Sequence, residues 1–139
     1  MSREAILLPA LILGFWTFGV LLMIPFKRSR ARQRGEVTID DFALGESARV
    51  PPSVSLVNRN YMNLLEMPVL FYAACLMFYV TGSAGTVSLI MCWTYVAIRI
   101  VHSLVHIGYN NVAHRRAIFA MSNVFLLTLW VMLTTNVLR

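Results

Sequence analysis

Three small groups of residues in this 139-residue chain have types and spacings suited to chemistry. Arg59, Asn63 and Glu66 stand four and three apart where a polar stretch, residues 58–68, runs straight into an apolar one. On a helix these spacings put all three on one face. Arg99, His102 and His106 repeat the arrangement late in another apolar stretch, and Tyr95 extends that face by one turn. His114, Arg115 and Arg116 follow in a short polar loop. Glu66 is the only acid inside a hydrophobic stretch, and an acid there needs a partner or a task.

A lone charge in hydrocarbon costs at least about 2.5–3.5 kcal/mol, so Glu66 and Arg99 are expected to form an ion pair across helices. Counting helical rise from the ends of their spans puts the two at similar depth, about 10 and 13 Å in. Such a pair either fixes helix register or forms one wall of a site, and the residues alone leave both open. Arg59, Arg99, Arg115 and Arg116, with Asn63, His106 and Tyr109, together make a positive, donor-rich pocket suited to a small anion bearing carboxylates. A thiol bound there is pushed toward its reactive thiolate. His102 and His106 have no further His or Cys nearby, so they read as hydrogen-bonding groups and not as metal ligands. Pro68 removes the donor that the Leu64 carbonyl needs, which allows a kink beside Glu66 that would open room between spans, but ordinary packing curvature is the expected outcome in a membrane helix.

The elements that position these groups follow from hydropathy. With 58% hydrophobic and 13% charged residues the chain is too apolar for a soluble domain of its size. The expected fold is an all-α membrane protein: a single domain, residues 1–139, forming a four-transmembrane-helix bundle. Its spans are expected at about 5–26, 61–80, 87–107 and 117–138, with a long cytoplasmic loop over 27–58. The first span is followed, not preceded, by its positive charges, so it reads as retained and not as a cleaved leader. Cys75 and Cys92 fall inside spans and read as packing residues.

Twelve Lys and Arg against six Asp and Glu give a net charge of +6. Lys27, Arg28, Arg30, Arg32 and Arg34 lie immediately after the first span, a placement that points to anionic lipid head groups and not to nucleic acid. The first and third loops hold nine Lys and Arg, seven from Lys27 to Arg59 plus Arg115 and Arg116, against Arg3 and Arg139 opposite. Both termini are therefore expected on the non-cytoplasmic side.

The order Arg59-x-x-x-Asn63-x-x-Glu66, then Arg99-x-x-His102, then Arg115-Arg116, set on four spans with a long first loop, resembles the membrane-associated proteins in eicosanoid and glutathione metabolism, the MAPEG family. The resemblance covers nearly the whole chain. The wording around Glu66 (Asn-Leu-Leu-Glu-Met-Pro) and Tyr109-Asn110-Asn111 looks most like its bacterial branch. It implies a homotrimer in a bacterial inner membrane, with glutathione as co-substrate in clefts between subunits and apolar co-substrates arriving from the bilayer. Carried over residue by residue, Arg59, Asn63, Glu66, Arg99 and His102 would hold the tripeptide. Arg115 would stabilise its thiolate, with His106 or Tyr109 assisting. The chain departs from the pattern at Met62, at His106 and Phe119 where tyrosines are usual, and at Pro68, which follows the glutamate early. Arg116 replaces the serine some relatives carry, so no serine-assisted activation is available. The implied function is a glutathione-dependent transferase or peroxidase acting on apolar electrophiles. The alternative is a non-catalytic membrane scaffold or accessory subunit in which the polar cluster only locks helices together.

Overall fold

The computed structural model describes residues 3–138. Arg139, counted above on the far side, lies outside the described residues. Among these the structure is all helical: α1 (Leu8–Gln33), α2 (Pro52–Leu65), α3 (Met67–Thr81), α4 (Thr86–Ile107) and α5 (Val112–Val137), with short 3₁₀ turns at Arg3–Leu7 and Asp40–Phe42. Four helical stretches are long and apolar enough to cross a membrane, α2 and α3 together making the second.

Helix α1 runs about two turns past the expected end of its apolar segment. Straight-chain basic residues are good helix formers, and nothing in 27–33 breaks the helix. It stops at Gly35, whose positive φ of 71° lets Glu36 N–H reach the Ala31 carbonyl at 3.0 Å and Gly35 N–H reach Arg32 at 2.9 Å. At the other end of the connection, α2 starts well before residue 61, because Pro52 occupies its first position after an extended Pro51. The connection between α1 and α2 is thus 34–51, with the 3₁₀ turn Asp40–Phe42 inside it. Val37, Val50 and Val54 pack on Ala31 with Phe42 against them, so this segment has a small core of its own.

Between α2 and α3 the chain breaks at Glu66, whose ψ of −99° is not helical. Pro68 is the cause: it cannot donate to Leu64, and its ring clashes with that carbonyl. The bundle core is built from side chains three, four or seven apart, on one face of each helix: Leu13, Val20 and Ile24 on α1, Phe71, Cys75 and Phe78 on α3, and Leu126, Leu129 and Leu133 on α5. Cys92, Tyr95 and Val96 of α4 join them. Phe71 and Tyr95 stack with centroids 4.4 Å apart. The Cys75 and Cys92 sulfurs lie 3.8 Å apart, both buried and unbridged, as packing residues. Arg3 ties the N-terminus down by donating to the carbonyls of Tyr79 and Val80 at the end of α3.

Candidate functional site

Helices α2, α4 and α5 bring the expected polar residues to the end of the bundle that carries the 34–51 loop. Arg99 is wholly buried. Its Nη2 donates to the Asn63 backbone oxygen at 2.7 Å and to the Asn63 side-chain oxygen at 2.9 Å. The Asn63 amide nitrogen donates in turn, over a long 3.4 Å, to Glu66. The direct Glu66–Arg99 ion pair expected from sequence does not form. Among the described residues the ion pairs are Arg28–Glu46 and Arg34–Glu36. The break at Pro68 takes Glu66 out of helical geometry and leaves it exposed, so Asn63, one turn earlier, takes the guanidinium.

Around Arg99 stand several buried polar atoms with no hydrogen-bond partner: Arg99 Nε and Nη1, His102 Nδ1, both ring nitrogens of His106, and Arg115 Nε. Phe119 closes one side, its ring centroid 5.5 Å from the Arg99 Cζ and 5.9 Å from the His102 ring. A cleft of about 200 Å³ opens here, lined by Asn63, His102, Val112, Arg115, Arg116 and Phe119.

The loop before α5 aims Arg115. Gly108 ends α4, and a Cβ there would sit 2.8 Å from the Leu104 carbonyl oxygen. Asn110 follows in the left-handed region (φ 50°) and accepts from Arg115 Nη1 at 2.7 Å. Asn111 caps α5 by accepting from His114 N–H at 3.1 Å.

Of the residues singled out from sequence, Asn63, His102 and Arg115 line the cleft, and Arg99 and His106 are buried on α4. Tyr109 is 66% exposed, and its hydroxyl is hydrogen-bonded to His114 Nδ1 at 3.0 Å. Arg59 and Glu66 are exposed, and neither lines the cleft. Sequence reasoning missed Asn110, although an Asn-Asn pair between two helices is a signal for a left-handed residue and a cap. It also missed a buried lock between α1, α2 and α4, in which Ser103 Oγ accepts from Asn60 Nδ2 at 2.6 Å and from Trp16 Nε1 at 3.0 Å. Nothing in the apolar periodicity distinguishes Asn60 from its solvated neighbours.

On another face of α4, a groove of about 630 Å³ runs against α1, walled by Ile12, Phe15, Trp16, Val20, Ile100 and Leu104. It is almost purely apolar. The chain therefore presents a cationic cleft and an apolar groove on either side of one helix.

The model of the MAPEG family matches residues 6–135. No curated protein and no solved structure gives a significant match.

Proposed function

The chain belongs to the MAPEG family, and from that premise we propose that this integral membrane protein binds glutathione and transfers or oxidises its thiol in reactions with apolar electrophiles. The observation that carries the ligand class is Arg99: a wholly buried cation held only by the neutral oxygens of Asn63, with two guanidinium nitrogens lacking a partner. A buried charge in a membrane protein needs compensation, and a carboxylate from a ligand supplies it. Glutathione brings two carboxylates, an ammonium group and a thiol.

In this reading Arg59, Arg99 and His102 donate to the carboxylates, Asn63 positions Arg99, and Glu66 accepts from the ammonium group. Arg115, aimed by Asn110, stabilises the thiolate. His106 assists by hydrogen bonding, since the Tyr109 hydroxyl is taken by His114. The thiolate sulfur then attacks an electrophilic carbon: the C–S bond forms, and the leaving group departs with its electron pair. With a hydroperoxide the sulfur attacks the terminal oxygen, the O–O bond breaks, and the alcohol leaves with a proton. A second glutathione then converts the sulfenic acid to disulfide and water. The α1–α4 groove suits the apolar co-substrate.

A cleft of about 200 Å³ is smaller than the roughly 300 Å³ at which small-molecule pockets begin, so a tripeptide needs further wall. A neighbouring subunit would supply it, which favours a homotrimer with shared clefts. The excess of Lys and Arg on the loop side favours the cytoplasmic face of a bacterial inner membrane for this site, with both termini opposite.

The Arg99–Asn63 contact within one chain favours a second reading, a non-catalytic scaffold in which the polar cluster only locks α2 to α4. Titrating glutathione into the detergent-purified protein separates the two. Saturable binding below about 1 mM with a thiolate absorbance supports the enzyme. No binding at millimolar glutathione, with intact oligomers, leaves the scaffold.

A further inference from the structure

The five basic residues that end α1 divide between two faces of the helix. Lys27, Arg30 and Arg34, three and four apart, share one, and Arg28 and Arg32, four apart, share the other. Of the five, only the second pair lines the cleft of about 270 Å³ formed with the folded loop, beside Ser29, Thr38, Ile39 and Phe42. We infer that this cleft binds the phosphate of an anionic phospholipid head group, in a site separate from the α2–α4–α5 cleft.

One of the donors, Arg28, is held in place for such a ligand. The Arg28 guanidinium lies over the Phe42 ring at 4.4 Å from its centroid, and its Nη2 is 3.7 Å from Glu46 Oε1. Its Nε is buried and has no partner. Arg32 is exposed and forms none of the ion pairs among the described residues, so Arg28, Arg32 and Glu46 together remain net positive. The nearby Asp41 does not compete for these donors. Its oxygens accept from Thr38 N–H at 2.7 Å, Thr38 Oγ1 at 3.0 Å and Ser47 Oγ at 2.6 Å. A phosphate in the cleft can accept from the terminal guanidinium nitrogens of Arg28 and Arg32 and from the Ser29 hydroxyl.

The apolar rim argues for a lipid as the source of the phosphate. Ile39 is 66% exposed and Leu44 wholly so, on a loop that begins just beyond the end of a membrane span. Inorganic phosphate gains nothing from them, whereas a head group bound in the cleft sets its acyl chains among the lipids beside this rim.

Arg30 and Arg32 make the test clean. Both are exposed arginines two residues apart, and neither forms an ion pair among the described residues, so their variants fold alike. Purified protein in phosphatidylcholine nanodiscs would be titrated with phosphatidylglycerol or phosphatidic acid, and retained lipid counted by native mass spectrometry. Diffuse attraction to an anionic surface predicts the same loss, about fivefold, for either arginine. The cleft predicts one tightly retained lipid per chain, lost by tenfold or more in Arg32→Gln and by less than about threefold in Arg30→Gln. Equal losses in the two variants overturn the inference. Complete displacement of the lipid by millimolar inorganic phosphate would also overturn it, assigning the cleft to the free ion.

Discussion

Arg99 of α4 holds Asn63 of α2 twice with a single nitrogen, at 2.7 Å to the backbone oxygen and 2.9 Å to the side-chain oxygen. Among the described residues the one fully buried cation is therefore tied to a neutral residue, with no acid beside it to cancel its charge. A direct carboxylate partner would have cancelled it. Because Asn63 also reaches Glu66, it is a positioning residue for the cleft.

Asn63→Asp should expose that arrangement. A carboxylate at this position pairs with Arg99 and should raise the thermal midpoint in detergent, while glutathione affinity falls at least about tenfold because the site's charge is neutralised. Asn63→Ala should instead cost about 1–3 kcal/mol, the worth of a hydrogen bond to a buried charged group. Raised affinity in Asn63→Asp would contradict the anion site.

Glu66→Gln tests the absent ion pair. Glu66 is exposed and its one contact is the long bond from Asn63, so the substitution should change stability by less than about 0.5 kcal/mol. A loss of several kcal/mol in a denaturation series would show that the acid compensates Arg99 after all.

Arg115 and Tyr109 should separate in kinetics. Arg115→Leu should lower conjugation turnover by about a hundredfold, the usual scale for removing one stabilising group at a reacting centre. Asn110→Gly keeps the left-handed backbone and removes only the 2.7 Å bond to Arg115, so it should lose activity with little change in midpoint. Tyr109→Phe should matter little, since its hydroxyl is occupied by His114.

The loop over 34–51 should open in acid. Hydrogen bonds from Ser47 and from the Thr38 backbone hold the Asp41 carboxyl below the usual carboxylate range. A depressed folded-state pKa contributes stability that is complete above the unfolded value near 4 and is lost as pH falls through the folded one. Hydrogen-exchange protection across 36–50, taken relative to the intrinsic rate at each pH, should therefore fall below about pH 4. In Asp41→Asn that protection should already be low at neutral pH and change little with acid.

Ser103→Ala should destabilise the bundle by about 1–3 kcal/mol, because Asn60 and Trp16 both lose their acceptor in a buried place. Thermal unfolding in detergent reads this directly, and a neutral result would remove the lock from the account.

The membrane class, the four spans and the three polar groups were legible in the chain because hydropathy and helical spacing are local properties that need no partner. The missing donor of Pro68 was legible as well, but it pointed only to ordinary curvature, and the full break at Glu66 goes beyond that expectation. Tertiary structure decided the rest. That Arg99 meets Asn63 instead of Glu66 depends on how far the Pro68 break swings the acid outward, which no spacing records. That Tyr109 turns to His114 while Arg115 is held by Asn110 depends on the left-handed turn between α4 and α5. The division of the basic run into a loop-facing pair and an outward-facing trio acquires meaning only once the 34–51 segment folds back on α1, burying Val37, Val50 and Val54 against Ala31. Periodicity names the face on which a side chain lies, but the packing of other elements determines what that face meets.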